Sequence, residues 1–431
     1  MPILYKLDNN PLGGFTSEPI NGPNGFFVAF QETAGLPVVV SAQPSGISRG
    51  IGIGITEVFY FDASGQFQQV INDFSYPFPD PINGSHFPFN PPQTGYYYAW
   101  IQEKGGFIAP ANAQVIVSPE FAGTQLLYLH RVPPVASDFN GDSKSDILWQ
   151  STDGQAAIWT MNGTTPFNQP AVGSNPGPGW QVIGAGDFNG DGDADILWQN
   201  TNGQAAIWLM NGTTPLSEPL VGANPGPSWR IVGTGDFNGD GDADILWQNT
   251  NGQASIWLMN GTTPFSQPLV GANPGPNWQI VGTGDFNGDG DSDILWQSTD
   301  GQAAIWLMNG TTPFSQPLVG ANPGPSWRIA GVGDFNGDGD ADILWQNTNG
   351  QAAIWLMNGT TPFNQPLVGP NPGPSWHIFG TGDYNGDGKS DILWQNDNGQ
   401  ASIWLMNGTT PTAMVPVGSN PGPSWHIHAA S

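Results

Sequence analysis

The chain is 431 residues long, 10% charged, with 8 basic against 35 acidic residues and a formal net charge of −27. So few cations leave no basic patch to hold a phosphate backbone, which excludes nucleic acid as a partner. No run approaches the ~20 apolar residues that span a bilayer, which excludes membrane insertion by a helix, and the lack of cysteine excludes a disulfide framework.

Residues 1–25 lack the apolar core of a secretory signal, so export is expected either after removal of a leader or by another route. The next hundred residues read as short strands, with β-rich segments at 25–31 and 37–42 and a hairpin over 58–71 turning at Ala63-Ser64-Gly65. Further strands are expected at 96–102, 114–118 and 125–132. A Pro- and Phe-rich stretch at 76–92 lacks amide donors and reads as a loop, covering one end of the module or serving as an interaction surface. Six or seven such strands fit a small β-sandwich-like module over residues 1–134. Pro133-Pro134 closes it.

From Asp138 the chain repeats. DFNGDGDADILWQ at residues 187–199 returns with small edits at Asp138, Asp236, Asp285, Asp334 and Asp383, each start 49 residues after the last. Each unit runs from an Asp-rich loop into DILWQ, a tight turn, QAAIWLM, an Asn-Gly turn, TTPFSQPLVG and a strand such as WRIVGTG. Four strands at this period make a propeller blade. The last unit ends in WHIHAAS, equivalent to the strand that precedes every loop but the first, which follows VPPVAS instead. The C-terminal strand is therefore expected to complete the first blade, closing residues 135–431 as a six-bladed ring without an open edge. A seventh blade built from N-terminal residues is the alternative. The fold class is all-β.

Positions 1, 3, 5, 7 and 9 of the loops are Asp138, Asn140, Asp142, Lys144 and Asp146 in the first, then Asp187, Asn189, Asp191, Asp193 and Asp195. The third and fourth carry Asp236, Asn238, Asp240, Asp242, Asp244 and Asp285, Asn287, Asp289, Asp291, Asp293. The last two carry Asp334, Asn336, Asp338, Asp340, Asp342 and Asp383, Asn385, Asp387, Lys389, Asp391. Odd spacing turns these side chains toward one centre, and hard oxygen donors at this density suit Ca²⁺ rather than Mg²⁺. Because Lys144 and Lys389 cannot be ligands through their side chains, position 7 is expected to offer only its carbonyl. An EF-hand is excluded: its twelfth position requires Glu where this chain has Trp198, and a strand follows instead of a helix. The loops hold 22 of the 35 acidic residues, a concentration that calls for cations.

Six in-phase copies of D-x-N-x-D-x-x-x-D before an apolar strand resemble the FG-GAP/VCBS class of repeat, found in integrin α-chain propellers and bacterial surface proteins. The resemblance implies a β-propeller with about six Ca²⁺, one in each hairpin loop between a blade's first and second strands. It carries ligand roles onto Asp138, Asn140, Asp142 and Asp146 and their equivalents. The Phe-Gly and Gly-Ala-Pro signatures of integrins are absent, and Ser143 replaces the usual glycine at position 6 of the first loop.

Eighteen of the 19 tryptophans fall three per repeat. The sets of Trp198 and Trp208 read as packing between blades. Trp180, Trp229, Trp278, Trp327, Trp376 and Trp425 follow a proline-rich linker and read as the more exposed set. The next residue varies: Gln181, Arg230, Gln279, Arg328, His377, His426. These tryptophans with Arg230 and Arg328 are the candidate ligand positions. Every repeat also carries Asn-Gly-Thr, which serves as a turn and matches the acceptor pattern for a glycan. No Ser/His/Asp or Cys constellation stands out, so no enzyme is expected. The expectation is a calcium-stabilised binding or adhesion protein outside the cell or on its surface, its partner a glycan or surface protein. The alternative is a structural subunit of an extracellular filament, appendage or coat, whose partners are copies of itself.

Overall fold

The computed structural model describes residues 137–428 with their side chains and, ahead of them, ten strands between Tyr5 and Arg131 by backbone alone. The chain divides into two units, residues 1–133 and 134–431. In the first, one antiparallel sheet orders Glu18–Pro19, Asn112–Pro119, Val38–Ser45 and Ser85–Phe89. A second orders Phe26–Glu32, Gly95–Lys104, Gly52–Phe61 and Phe67–Asn72, and Tyr5–Asp8 pairs with Tyr128–Arg131. The stretch expected to be a loop over 76–92 contains a strand, Ser85–Phe89, with Pro88 opposite Val39. That strand lies at the edge of its sheet, where a proline's missing donor is tolerated. The hairpin turn at Ala63-Ser64-Gly65 and the Pro133-Pro134 junction lie outside the described residues.

The second unit is a six-bladed β-propeller. The second blade shows the pattern: an inner strand Trp180–Gly186, then Asp195–Asn200, Ala205–Asn211 and an outer strand interrupted between Thr214–Ser217 and Leu220–Val221. Proline before the second half removes a ladder donor and breaks the outer strand. The middle strands are buried on both faces, which is why ILW and AAIWLM read as unbroken apolar runs. Inner strands of successive blades meet around the axis, as in the bond from Thr234 Oγ1 to the Ala185 carbonyl at 3.1 Å.

The core lies between blades. One cluster joins Phe188, Leu197 and Ile207 of the second blade to Ile245, Trp247 and Trp257 of the third. Inside each blade two tryptophans pack with centroids 4.7–4.8 Å apart. Closure follows the sequence expectation. Trp425–His428 pairs with Ile147–Ser151, with Trp425 opposite Ser151 and His428 opposite Leu148. The inner strand of the first blade thus comes from the end of the chain, and a cluster uniting Trp149 with Tyr384 and Leu393 seals the junction with the sixth.

Candidate functional site

The Asp-rich loops lie where each inner strand turns into the second strand, so all six gather at one end of the ring. Glycine permits the curl: Gly190 and Gly192 take φ of 68° and 93°. In the first loop Ser143 adopts the same left-handed backbone, φ 63°, and donates its N–H to Asp138 Oδ2 at 2.7 Å. The non-glycine residue thus bears a local strain that its five equivalents avoid.

Each loop position has its own task. Asp187 at position 1 accepts the amides of Asp191 and Gly192 at 3.2 and 2.9 Å. Asn189 at position 3 accepts the Asp191 amide at 3.0 Å, and Asp191 at position 5 accepts that of Asp193 at 2.9 Å. These bonds wrap the backbone inside its own side-chain oxygens and leave lone pairs over. Position 7 points elsewhere. Asp193 Oδ2 accepts the Gly212 amide of the Asn-Gly-Thr turn at 3.0 Å, and Lys144 Nζ donates to Asn162 Oδ1 at 3.1 Å.

Position 9 is a buried staple. Asp195, fully buried, accepts the Met210 amide at 2.8 Å through Oδ1 and the Phe188 amide at 3.0 Å through Oδ2, and its five equivalents repeat both bonds. Burial pushes the carboxyls of Asp146, Asp195 and Asp391 up to about 7. Those of Asp244, Asp293 and Asp342 rise to about 8 for the same reason. Among the described residues no three Asp, Glu or His side chains form a metal-holding group by themselves. The donor set implied for each loop is mixed: carboxylates, an Asn amide oxygen and a main-chain carbonyl. Oxygen donors gathered beside a buried carboxyl fit a hard divalent cation.

The loops also join to one another. The position 8 amide of each donates to the position 1 carbonyl of the blade before, as in Ala194 to Asp138 at 2.6 Å, round to Ser145 to Asp383 at 2.8 Å.

At the opposite end of the ring stand the variable residues. Trp180 and its five equivalents are half-buried and pack against the inter-blade clusters, so they combine packing with partial exposure. Trp198 and Trp208 are buried with their sets. Arg230 is exposed, whereas Arg328 Nη2 leans across to Gln346 Oε1 and the Ile378 carbonyl. A cleft of about 260 Å³ opens between the first and second blades, lined by Gln150, Ser151, Trp180, Gln181, His426 and His428. His428 stands where the other blades carry Ile183, Val232, Val281, Ala330 and Phe379. Burial, with His426 beside it, pushes its imidazole down to about 4.

Sequence reasoning passed over the last residue of DILWQ. Gln150 donates Nε2 to the Trp180 carbonyl at 2.8 Å and accepts the Val182 amide at 3.0 Å, clamping the next blade's inner strand. Gln199, Gln248, Gln297, Gln346 and Gln395 do the same, the last reaching Trp425 and Ile427 and so locking the closing strand. Its presence in all six repeats, at the end of an otherwise apolar strand, was the available signal.

The FG-GAP-like repeat matches five overlapping segments, 138–198, 187–247, 236–296, 285–345 and 334–394. The chain belongs to the FG-GAP-like repeat family. These matches run from loop to loop and leave the closing strand outside, since that strand returns from the far end of the array. No curated protein matches the chain at a significant level. Among solved structures, the nidogen/laminin complex is similar at 11% identity over 66% of this chain and 96% of that chain, with a TM-score of 0.46. The complex of BBS1N with ARL6DN is similar at 11% identity over 69% of this chain and 83% of that chain, with a TM-score of 0.37. Likeness at this level speaks to neither ligand nor partner.

Proposed function

We propose that this FG-GAP-like propeller is an extracellular binding or adhesion protein that calcium stabilises and whose ligand is a glycan. The cleft between the first and second blades supports this most directly. It sets a half-buried indole, Trp180, beside the amides of Gln150 and Gln181 and the imidazoles of His426 and His428. An aromatic face with convergent donors and acceptors suits a sugar ring, which offers C–H groups on one side and hydroxyls at its rim. Trp229, Trp278, Trp327, Trp376 and Trp425 repeat the platform around the ring, with Arg230 and Arg328 supplying positive charge at two places. Binding rather than catalysis is proposed because the carboxylates of the array are engaged in loop folding. Positions 1, 3, 5 and 9, with the carbonyl of position 7, would hold Ca²⁺ and so neutralise six crowded loops. At the millimolar calcium of extracellular fluids such sites fill, which is the reason for placing the protein outside the cell.

A glycan array probed in calcium buffer tests this reading, with Trp180→Ala as the control. Retention of defined sugars by the native protein and their loss in the variant is the expected result; silence across chemically diverse sugars would overturn it. A second reading, assembly with copies of itself into a filament or coat, is favoured by one observation. The outer strands expose Phe167, Leu216, Phe265, Phe314 and Phe363 by 59–63%, an apolar belt around the rim. Electron microscopy of purified protein separates the two, because single rings at high concentration exclude the assembly.

A further inference from the structure

The six Asn-Gly-Thr turns sit in identical hexapeptides, Met-Asn-Gly-Thr-Thr-Pro, starting at Met161, Met210, Met259, Met308, Met357 and Met406. Any difference in their reactivity comes from what the fold places around them. Asn-Gly is a labile pair, because glycine lacks the Cβ that shields its nitrogen. That nitrogen can attack Cγ of the asparagine, forming the C–N bond of a five-membered succinimide. The side-chain nitrogen leaves as ammonia, carrying the proton lost by the glycine amide. Water then opens the ring to aspartate or isoaspartate, with no oxidant or reductant involved.

Position 7 divides the six turns into two groups. Gly212, Gly310 and Gly359 donate their amides to Asp193, Asp291 and Asp340 at 3.0–3.1 Å, and Gly261 is bonded to Asp242 in the same way. An amide hydrogen held by a carboxylate is harder to remove, and its nitrogen is tied down away from Cγ. In the first and sixth blades the residue is lysine, and it touches the asparagine instead: Lys144 Nζ donates to Asn162 Oδ1 at 3.1 Å, and Lys389 Nζ bonds Asn407 Oδ1. An ammonium on that oxygen draws electron density from Cγ and makes it the better electrophile. Gly408 still gives its amide to the Phe335 carbonyl at 2.9 Å, an acceptor the structure does not give Gly163. Asn162 and Asn407 are exposed, so water reaches both.

We infer that Asn162 is a site of spontaneous deamidation in the folded protein, with Asn407 next and the four Asp-held turns protected. The product suits its surroundings at Asn162, where a new carboxylate meets the Lys144 ammonium. An isoaspartate there would instead add a main-chain carbon to a two-residue turn and disturb the hairpin beneath the first loop.

The test is peptide mapping by mass spectrometry of the whole chain aged in mildly alkaline calcium buffer; the distinct flanking residues identify each turn. The expected result is conversion of Asn162 about tenfold faster than Asn211, Asn309 or Asn358, the rate equivalent of ~1.4 kcal/mol, a charge-assisted hydrogen bond's worth. In denaturant all six should convert alike. Lys144→Asp, which installs the residue four other blades already use, should slow Asn162 to their rate, and Asp193→Lys should speed Asn211. Equal rates in the folded protein, or an excess at Asn162 that survives denaturant or Lys144→Asp, overturns the inference.

Discussion

At the tryptophan end of the ring the blades are joined by neutral groups: six glutamine amides, each making two bonds to the next inner strand at 2.7–3.1 Å. At the loop end six main-chain bonds of 2.6–2.8 Å do the same work among crowded carboxylates. Both circuits close through the first blade. The first carries its bonds without net charge, so its strength is a matter of geometry and burial. The second gathers like charge wherever its bonds form, so its strength depends on what neutralises that charge.

Removing calcium therefore gives the largest expected effect. If the loops hold calcium as proposed, sites of ~0.1–1 mM affinity at ~1 mM calcium would together contribute ~2–8 kcal/mol. Calorimetry with and without a chelator reads this directly, and a melt indifferent to chelation removes the cation from the account. A companion measurement follows from the position 9 carboxyls, held at about 7 or 8 by burial against an ordinary 3.8. Between those values the folded ring binds more protons than the unfolded chain, so stability is present in acid and falls as pH rises. Chelated protein should resist urea better near pH ~5 than near pH ~8, and calcium should flatten the trend by meeting the ionised form with a cation. A chelated ring that strengthens as pH rises contradicts this.

The neutral circuit should behave differently. Gln395→Ala removes both bonds that lock Trp425 and Ile427 of the closing strand and takes the partner from a part-buried carbonyl and a buried amide. The expected loss is ~2–4 kcal/mol, measured by urea denaturation. It should be equal with and without calcium, since the clamp lies at the opposite end of the ring from the loops. A loss that vanishes on chelation would mean that the two circuits are coupled rather than independent.

What was legible beforehand follows the same division. The period, the four strands per blade and the closing strand could be read because each leaves a mark within one repeat or at the ends of the array: WHIH supplies what VPPVAS lacks. The loop positions were legible because their spacing is local. The glutamine clamp was not, because its partners lie 30 and 32 residues ahead in another blade, a separation no local pattern encodes. Position 7 was half-read. Its lysines imply that the side chain is not a ligand, but only the fold reveals the Asn-Gly-Thr turn beside it. In the N-terminal unit the prolines of 76–92 read as strand breakers, whereas at a sheet edge Ser85–Phe89 accommodates one.

The smallest expected effect sharpens the comparison within the charged circuit itself. The first loop departs from the others at position 6, where Ser143 holds φ at 63° and glycine would hold it without steric cost. Ser143→Gly removes that strain but adds freedom to the unfolded chain, so the net gain is ~0.5–1 kcal/mol. The Asp138 carboxylate receives the same amide either way, so the gain should appear in chelator as in calcium. Urea denaturation in both buffers checks it. A gain confined to calcium would show that the serine perturbs the ion site, and no gain at all would show that the first loop has already relaxed around its side chain.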